Sequence, residues 1–480
     1  MLLNQYPFLI SYNPWWESGS SAFTQLPAFH RDVFEDLYSD VVRLPQMISV
    51  TGPRRVGKTT LLRQCIQRLI AEGDPGQAGR IAYFSLDDPA LSLPHQDPDR
   101  FFNDLVADFA SRAKAGPAYL LLDEIQKFPR WELYLKKFYD LHTSVRFIVS
   151  GSASAPIFRK SHESLLGRIK SFYVLPFSFR ERFFFQRGEQ DKAVSREFFE
   201  FGNRLRSSDN VAGILARLDE TVVTFGDFTP LVEDYFYQGG FPEVWKLPDI
   251  LAKQEYLYQN QVERVIFEDL LVAAEFRKPE MLRRFYLSLL TDPGRETNLT
   301  RLANDISIGR TTIEHYFPLL EATDLVWRLN KYTGGKSSAK AGNFKTYLVD
   351  LAVRNAVLKL SPKQLRDDPT MLGHYAENVV ANHLRRWPGL VELAYFRERD
   401  DELDFIVDLG NARLGIEVKY RNELNLRELL KSAAIAKRLD CAGFVVVSKH
   451  APDDALRQTL AEKIQLPLSL VQLADFMMLF

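Results

Sequence analysis

Gly52-Pro53-Arg54-Arg55-Val56-Gly57-Lys58-Thr59 fits the pattern G-x-x-x-x-G-K-[ST] and is followed by Thr60. Upstream lies the apolar run Met47-Ile48-Ser49-Val50, which reads as a short strand. Downstream, LLRQCIQRLI (61–70) has apolar residues at helical spacing. Strand, glycine-bearing turn and helix, in that order, form the setting in which this pattern holds phosphate. The glycines let backbone N–H groups turn inward around phosphate oxygens, and the helix N-terminus adds partial positive charge. Residues 52–60 are therefore the expected nucleotide-binding loop, with ATP as the ligand. Lys58 is expected to reach the β- and γ-phosphates. Thr59 is expected to ligate Mg²⁺ through its hydroxyl.

Three more apolar strands follow: IAYFSL (81–86), AYLLLDE (118–124) and RFIVSGS (146–152). They alternate with helical stretches, which predicts a parallel sheet covered on both faces. Asp123 and Glu124 leave the third strand together. The expectation is Asp123 on the Mg²⁺ shell and Glu124 as the base that polarises the attacking water. Ser150 and Ser152 end the next strand, where a hydroxyl can hold the γ-phosphate or that water.

Past Phe179 the pattern turns mostly helical, with a polar stretch at 188–209 and a turn at Gly239-Gly240-Phe241-Pro242. Residues 281–290, 299–306 and 310–320 read as three short helices. LVWRL (325–329), a basic turn and TYLVD (346–350) would supply a two-stranded wing. This arrangement resembles a winged helix, a DNA-binding module. From Phe276 to Lys345 there are 12 Lys/Arg against 7 Asp/Glu. Arg310, Thr311, Thr312 and His315 would occupy the first turns of the third helix, where a recognition helix meets a groove. Lys336, Ser337, Ser338 and Lys340 would lie on the wing and contact phosphates.

Near the C-terminus, Gly410-Asn411 is a favoured two-residue hairpin turn. Such a turn pairs residue 409 with residue 412, so Asp404 falls opposite Glu417 and Lys419 shares their face. Two acids and a lysine on one face could hold Mg²⁺ and act on a phosphodiester.

Composition narrows the classes. Charged residues make up 26% of the chain and hydrophobic residues 46%, which suits a globular protein of several domains. The net charge is −1, so any nucleic-acid surface must be local. Two distant cysteines, Cys65 and Cys441, build neither a disulfide framework nor a zinc cluster. The N-terminal stretch lacks the features of a signal peptide, and no apolar run approaches membrane-spanning length. A cytoplasmic location without membrane contact is the expectation.

GPRRVGKTTLL, LLLDEIQ, FIVSGSAS, LLGRIKSFYVLPFSFRE, QGGFPEVW and IEVKY occur in that order. Together they resemble the large prokaryotic AAA+ ATPase family with a C-terminal PD-(D/E)xK nuclease-like domain. The resemblance implies an α/β fold with a P-loop AAA+ parallel-sheet core, a helical lid, a winged-helix module and a nuclease-like α/β domain. The expected divisions are 1–180, 181–275, 276–350 and 351–480. It also implies self-assembly, with a hexameric ring expected. Arg168, in LLGRIKSF, becomes a candidate for stabilising charge on a neighbour's γ-phosphate, and Glu377 the fourth member of the C-terminal metal site. The favoured activity is remodelling or translocation of branched or duplex DNA. Two other readings stay open: a metal-dependent nuclease gated by ATP, and a signalling or scaffold ATPase that binds proteins.

Overall fold

The computed structural model describes residues 2–92, 97–141, 144–152, 165–188, 211, 213, 215, 228–269, 279–334, 343–387, 390–451 and 454–479. The chain divides into two compact units. One runs to Leu175 and includes a short segment beginning at Glu268. The other holds Pro176–Phe267 and the chain from Arg277 onward.

The first unit is built on five parallel strands: β1 (Met47–Gly52), β2 (Ile81–Ser85), β3 (Ala118–Asp123), β4 (Val145–Ser152) and β5 (Ile169–Tyr173). Their order is β2-β3-β4-β1-β5. Every residue of β1 and β3 is buried, which explains why these strands read as continuous apolar runs rather than alternating ones. Helix Pro98–Arg112 starts where Asp97 caps the N–H groups of Asp99 and Arg100, with Pro98 in the first turn. It buries Phe101, Phe102, Leu105, Val106 and Phe109. Burying side chains of this size stabilises by roughly 1.5–3 kcal/mol each. The edge strand β2 is covered by the N-terminal segment. The Asn13 amide donates to Tyr83 O (3.0 Å) and accepts from Tyr83 N (2.7 Å), as a neighbouring strand would.

The second unit contains strands β6 (Glu296–Thr297), β7 (Val326–Lys331), β8 (Phe344–Leu348), β9 (Glu392–Glu398), β10 (Asp401–Asp408), β11 (Arg413–Lys419), β12 (Gly443–Ser448) and β13 (Leu468–Gln472). They form one mixed sheet in the order β13-β12-β11-β10-β9-β7-β8-β6. The hairpin register predicted from Gly410-Asn411 is the one observed. Leu409 N–H bonds to Ala412 O, Asp408 pairs with Arg413, and the ladder runs on to Phe405 opposite Ile416.

The structure divides the chain differently from the four expected parts. The boundary falls at Leu175/Pro176, and the described helices of 181–267 pack with the C-terminal part instead of forming a body of their own. Asn355 donates to the carbonyls of Phe236 and Tyr237, and Gln254 donates to Leu360 O. Gly239 has φ +64°, and a Cβ there would stand 2.1 Å from Asp350 Oδ1. Asp350 also accepts from Gly240 N–H at 2.7 Å, so the Gly-Gly turn is a docking point for the start of helix Leu351–Val357. Likewise 276–350 and 351–480 are not separate, because β7 pairs in parallel with β9 through Asn330/Ala394 and Lys331/Tyr395. The stretch AYFRERDDELDFIVDL (394–409) holds two strands: β9 and β10 turn at Arg399-Asp400, with Arg399 at φ +55°.

Candidate nucleotide site and C-terminal acidic cluster

Parallel strands put their C-terminal ends on one edge, where such sheets take their ligands. At that edge β1 runs into the loop and then into helix Lys58–Glu72. Gly52 (φ +147°) passes so close to β5's exit that a Cβ would meet Val174 O at 2.1 Å. Gly57 (φ +96°) is the helix N-cap, and no side chain caps the first turn, a geometry suited to an anion. Pro53 and Val56 are buried, Arg55 is exposed at φ +62°, and Arg54 is half-buried. Lys58 Nζ donates to two loop carbonyls, Gly52 O (3.0 Å) and Pro53 O (2.7 Å). Thr60 is half-buried in the first helical turn.

The acids lie on β3, two strands from β1. Asp123 is buried and holds four groups. Its Oδ2 accepts from the Thr59 hydroxyl (2.6 Å) and the Tyr83 hydroxyl (2.8 Å), and its Oδ1 accepts from Ser150 Oγ and Glu124 N–H. Thr59 and Asp123 are thus juxtaposed as two ligands of one Mg²⁺ would be. The Ser150 hydroxyl is thus engaged by Asp123. Glu124 takes the left-handed conformation (φ 52°) directly after β3 ends. Burial raises its pKa, with Lys58 pulling the other way. The Gln126 amide donates to Glu124 and reaches Ser152 Oγ at 3.4 Å, so Ser152 is the hydroxyl nearer the base.

Arg168 sits at the other edge of the sheet. Its carbonyl accepts from Met47 N–H, at the start of β1 and five residues before Gly52. At ~3.3 Å per strand residue that places it roughly 16 Å from its own loop. Its guanidinium pairs with Asp140 (Nε–Oδ1 2.9 Å). That carboxylate raises its pKa further.

Three contributors at this site were not anticipated. Tyr83 on β2 shares the face of Asp123 across the β2–β3 ladder, where Ser85 pairs with Asp123. A tyrosine within an apolar strand was the available signal. Buried Arg31 donates to Val56 O (3.0 Å) and Leu175 O (2.8 Å), clamping the loop from the N-terminal segment. Gln126 follows the two acids, and its role needed the turn at Glu124 to be seen.

In the second unit, helix Leu299–Ile306, a turn at 307–309 and helix Arg310–Ala322 follow one another. Arg310, Thr311 and His315 are exposed on the latter, and Thr312 is half-buried. Arg310 is engaged by Glu314 (2.9 Å) and Thr300 (3.2 Å). Arg301 stands near Asp305 at 3.8 Å, so this face mixes both signs of charge. Lys336, Ser337, Ser338 and Lys340 lie outside the described residues.

The C-terminal acids do come together, though not as an open metal site. Continuing the observed register by one pair sets Asp404 against Glu417. Both are buried. Asp404 Oδ2 accepts from Val418 N–H at 2.9 Å, where the ladder to β9 is irregular. Glu377 arrives from helix Pro369–Leu384, which Asn378 pins to both backbone groups of Leu348. The unexpected member is Lys345 of β8, counted by sequence among the wing's basic residues. Its ammonium lies 2.8 Å from Glu377 Oε1, 2.8 Å from Glu402 Oε1 and 3.6 Å from Asp404 Oδ1. Burial alone would lower its pKa, but the facing Glu377, with Tyr347, Asp404 and Glu402, raises it well above the usual lysine range. Lys419 pairs with Glu417. Burial, reinforced by Asp404, pushes the Glu417 carboxyl up to about 8. Burial also raises Glu377. Among the described residues no group of three His, Cys, Asp or Glu side chains is arranged to hold a metal. A lysine, Lys345, stands among the acids of the predicted Glu377/Asp404/Glu417 site.

Both cysteines are buried and unpaired in disulfides, and no helix among the described residues is long and apolar enough to cross a membrane.

Comparison with known proteins agrees with this geometry. Residues 45–183 match the family model of an AAA domain. Residues 229–364 and 372–469 match two domains of unknown function, DUF8612 and DUF4143. An uncharacterized protein of Methanocaldococcus jannaschii is 26% identical over 342 residues, covering 71% of this chain and 67% of its own. One from Mycobacterium tuberculosis is 22% identical over 427 residues, covering 88% and 80%. Among solved structures, AMPPCP-bound DnaA from Aquifex aeolicus covers 60% of this chain and 86% of its own at 16% identity, with a TM-score of 0.24, too distant to assign function. The matched model and the loop with its two acids together make residues 45–183 an AAA-type ATPase domain.

Proposed function

We propose that the chain is a Mg²⁺-dependent ATPase that acts on DNA as a homo-oligomer. The convergence of Lys58, Thr59, Asp123 and Glu124 at one sheet edge carries the catalytic part. Lys58 would exchange its loop carbonyls for phosphate oxygens, and Thr59 and Asp123 would hold Mg²⁺, which would neutralise phosphate charge. Glu124, kept in place by Gln126, would take the role of orienting and polarising water. Arg168 supports the oligomer: it is too far from its own loop to serve it, and it is free to serve a neighbour's once released from Asp140. DNA is favoured by the two helices joined through 307–309 and the exposed Arg310, Thr311 and His315, the layout of a groove-reading element. The C-terminal part would hold DNA without cutting it.

The test is ATP turnover with and without single-stranded, duplex, forked and four-way DNA. We expect at least one of these to stimulate turnover several-fold. ATPase activity indifferent to all four, together with no DNA binding at low salt, would replace DNA with a protein partner.

A further inference from the structure

We propose that Lys345 is the resident cation of the C-terminal acidic cluster, occupying the charge position that a divalent metal would otherwise take among Glu377, Asp404 and Glu417. Four carboxylates meet there: Glu377, Glu402, Asp404 and Glu417. Three of them lie within 4 Å of one ammonium. An ammonium donates only three hydrogen bonds and cannot be shared in the way a metal shares its coordination sphere. It does, however, supply positive charge where the acids converge, and it is itself 2% exposed. Tyr347, two residues along β8 on the same face, donates its hydroxyl to Glu377 Oε1 at 2.7 Å and uses up another acceptor position. A metal entering this space would meet Lys345 first. Two like charges at such a separation repel strongly in a low-dielectric interior.

The cluster is nonetheless unbalanced, which makes the idea testable. Its four acids face three cations: Lys345, Lys419 and, at the outer carboxylate Glu402, Arg397 at 3.9 Å. Glu417 Oε2 is buried and has no hydrogen-bond partner among the described residues. A buried acceptor in that state is costly, and a cation beside it would relieve the cost. The structure therefore assigns a latent divalent site, closed by one side chain from a strand far away in sequence. Removing the charge of Lys345 while keeping its length should open it.

Mn²⁺ binding to the nucleotide-free full chain, followed by the electron paramagnetic resonance signal of free Mn²⁺, tests this. It is independent of the proposed action on DNA, since neither ATP nor DNA is present. Any Mn²⁺ taken at Thr59 and Asp123 is common to all the chains compared. Wild type and Glu417→Gln should give superimposable titrations. Lys345→Met should gain one site, tighter by on the order of 10-fold or more because its acids are left without their cation. Lys345→Met/Glu417→Gln should lose that gain. A Glu417-dependent Mn²⁺ site in wild type would overturn the proposal, as would a folded Lys345→Met chain with no added binding. If Lys345→Met fails to fold, the comparison of wild type with Glu417→Gln decides alone.

Discussion

Two pairs of acids close two sheets in this molecule, and they are treated in opposite ways. Asp123 and Glu124 are surrounded by hydroxyls and an amide: Thr59, Tyr83, Ser150 and Gln126. The nearby cation, Lys58, is turned onto backbone carbonyls. Asp404 and Glu417 instead lie beside lysines of their own chain, Lys345 and Lys419. Neutral donors orient a carboxylate but leave its charge for a metal and a phosphate to meet. A buried lysine cancels that charge in advance. Acids brought together on a sheet therefore do not define a metal site by themselves; what matters is where the protein places its own cations.

If the first pair serves ATP, removing Lys58 should have the largest effect. Lys58→Ala is expected to lower turnover by at least about 100-fold, since it removes charge stabilisation at the transferring phosphoryl. Steady-state phosphate release measures this, and near-normal turnover would break the comparison on its first side. Arg168→Ala should cost somewhat less, on the order of 10- to 100-fold, because an arginine supplied by a neighbour can be worth that much or more. Mixing Arg168→Ala with Glu124→Gln chains should restore part of the activity, because some interfaces then carry both working halves. No recovery on mixing would show that the arginine does not act between subunits. Tyr83→Phe should reduce turnover only several-fold, by loosening Asp123 while Thr59 and Ser150 still hold it. A loss as large as that of Lys58→Ala would mean that Tyr83 does more than position the acid.

On the second side the effect is on stability and is smaller. The folded-state pKa of Glu417 lies near 8, above the unfolded value near 4.5. Between these values the folded state binds the extra proton, so this group makes stability fall as pH rises through the window. The slope from one proton is at most about 1.4 kcal/mol per pH unit. Glu417→Gln should flatten that part of the profile in thermal unfolding scans from pH 5 to pH 8. An unchanged slope would show that Glu417 is not held in a charge-penalising position.

The amount that could be read from sequence differed between the two sheets for physical reasons. The loop and the two acids of the first sheet are local: each motif lies within a strand and its exit, and parallel strands bring their ends together whatever the connecting helices do. The Gly410-Asn411 hairpin was equally local, since a two-residue turn fixes every pair in its ladder. Lys345 was not legible. Its partners lie 32 to 59 residues away in sequence, and the contact exists because β7 joins the wing strands to β9. The turn of the neighbouring hairpin, β9–β10, is not marked in the sequence, because Arg399-Asp400 has no glycine. Tyr83 acts on Asp123, and Arg31 on the loop, from segments with no motif of their own.

The most direct test of the ATPase assignment is to measure nucleotide retention and turnover in the same Glu124→Gln chain. Removing the water-polarising acid while leaving Lys58, Thr59 and Asp123 in place should preserve ATP binding and trap unhydrolysed ATP, with turnover down by roughly 100-fold or more. Turnover at the wild-type rate, or loss of ATP binding with Lys58 intact, would contradict the roles given to these residues.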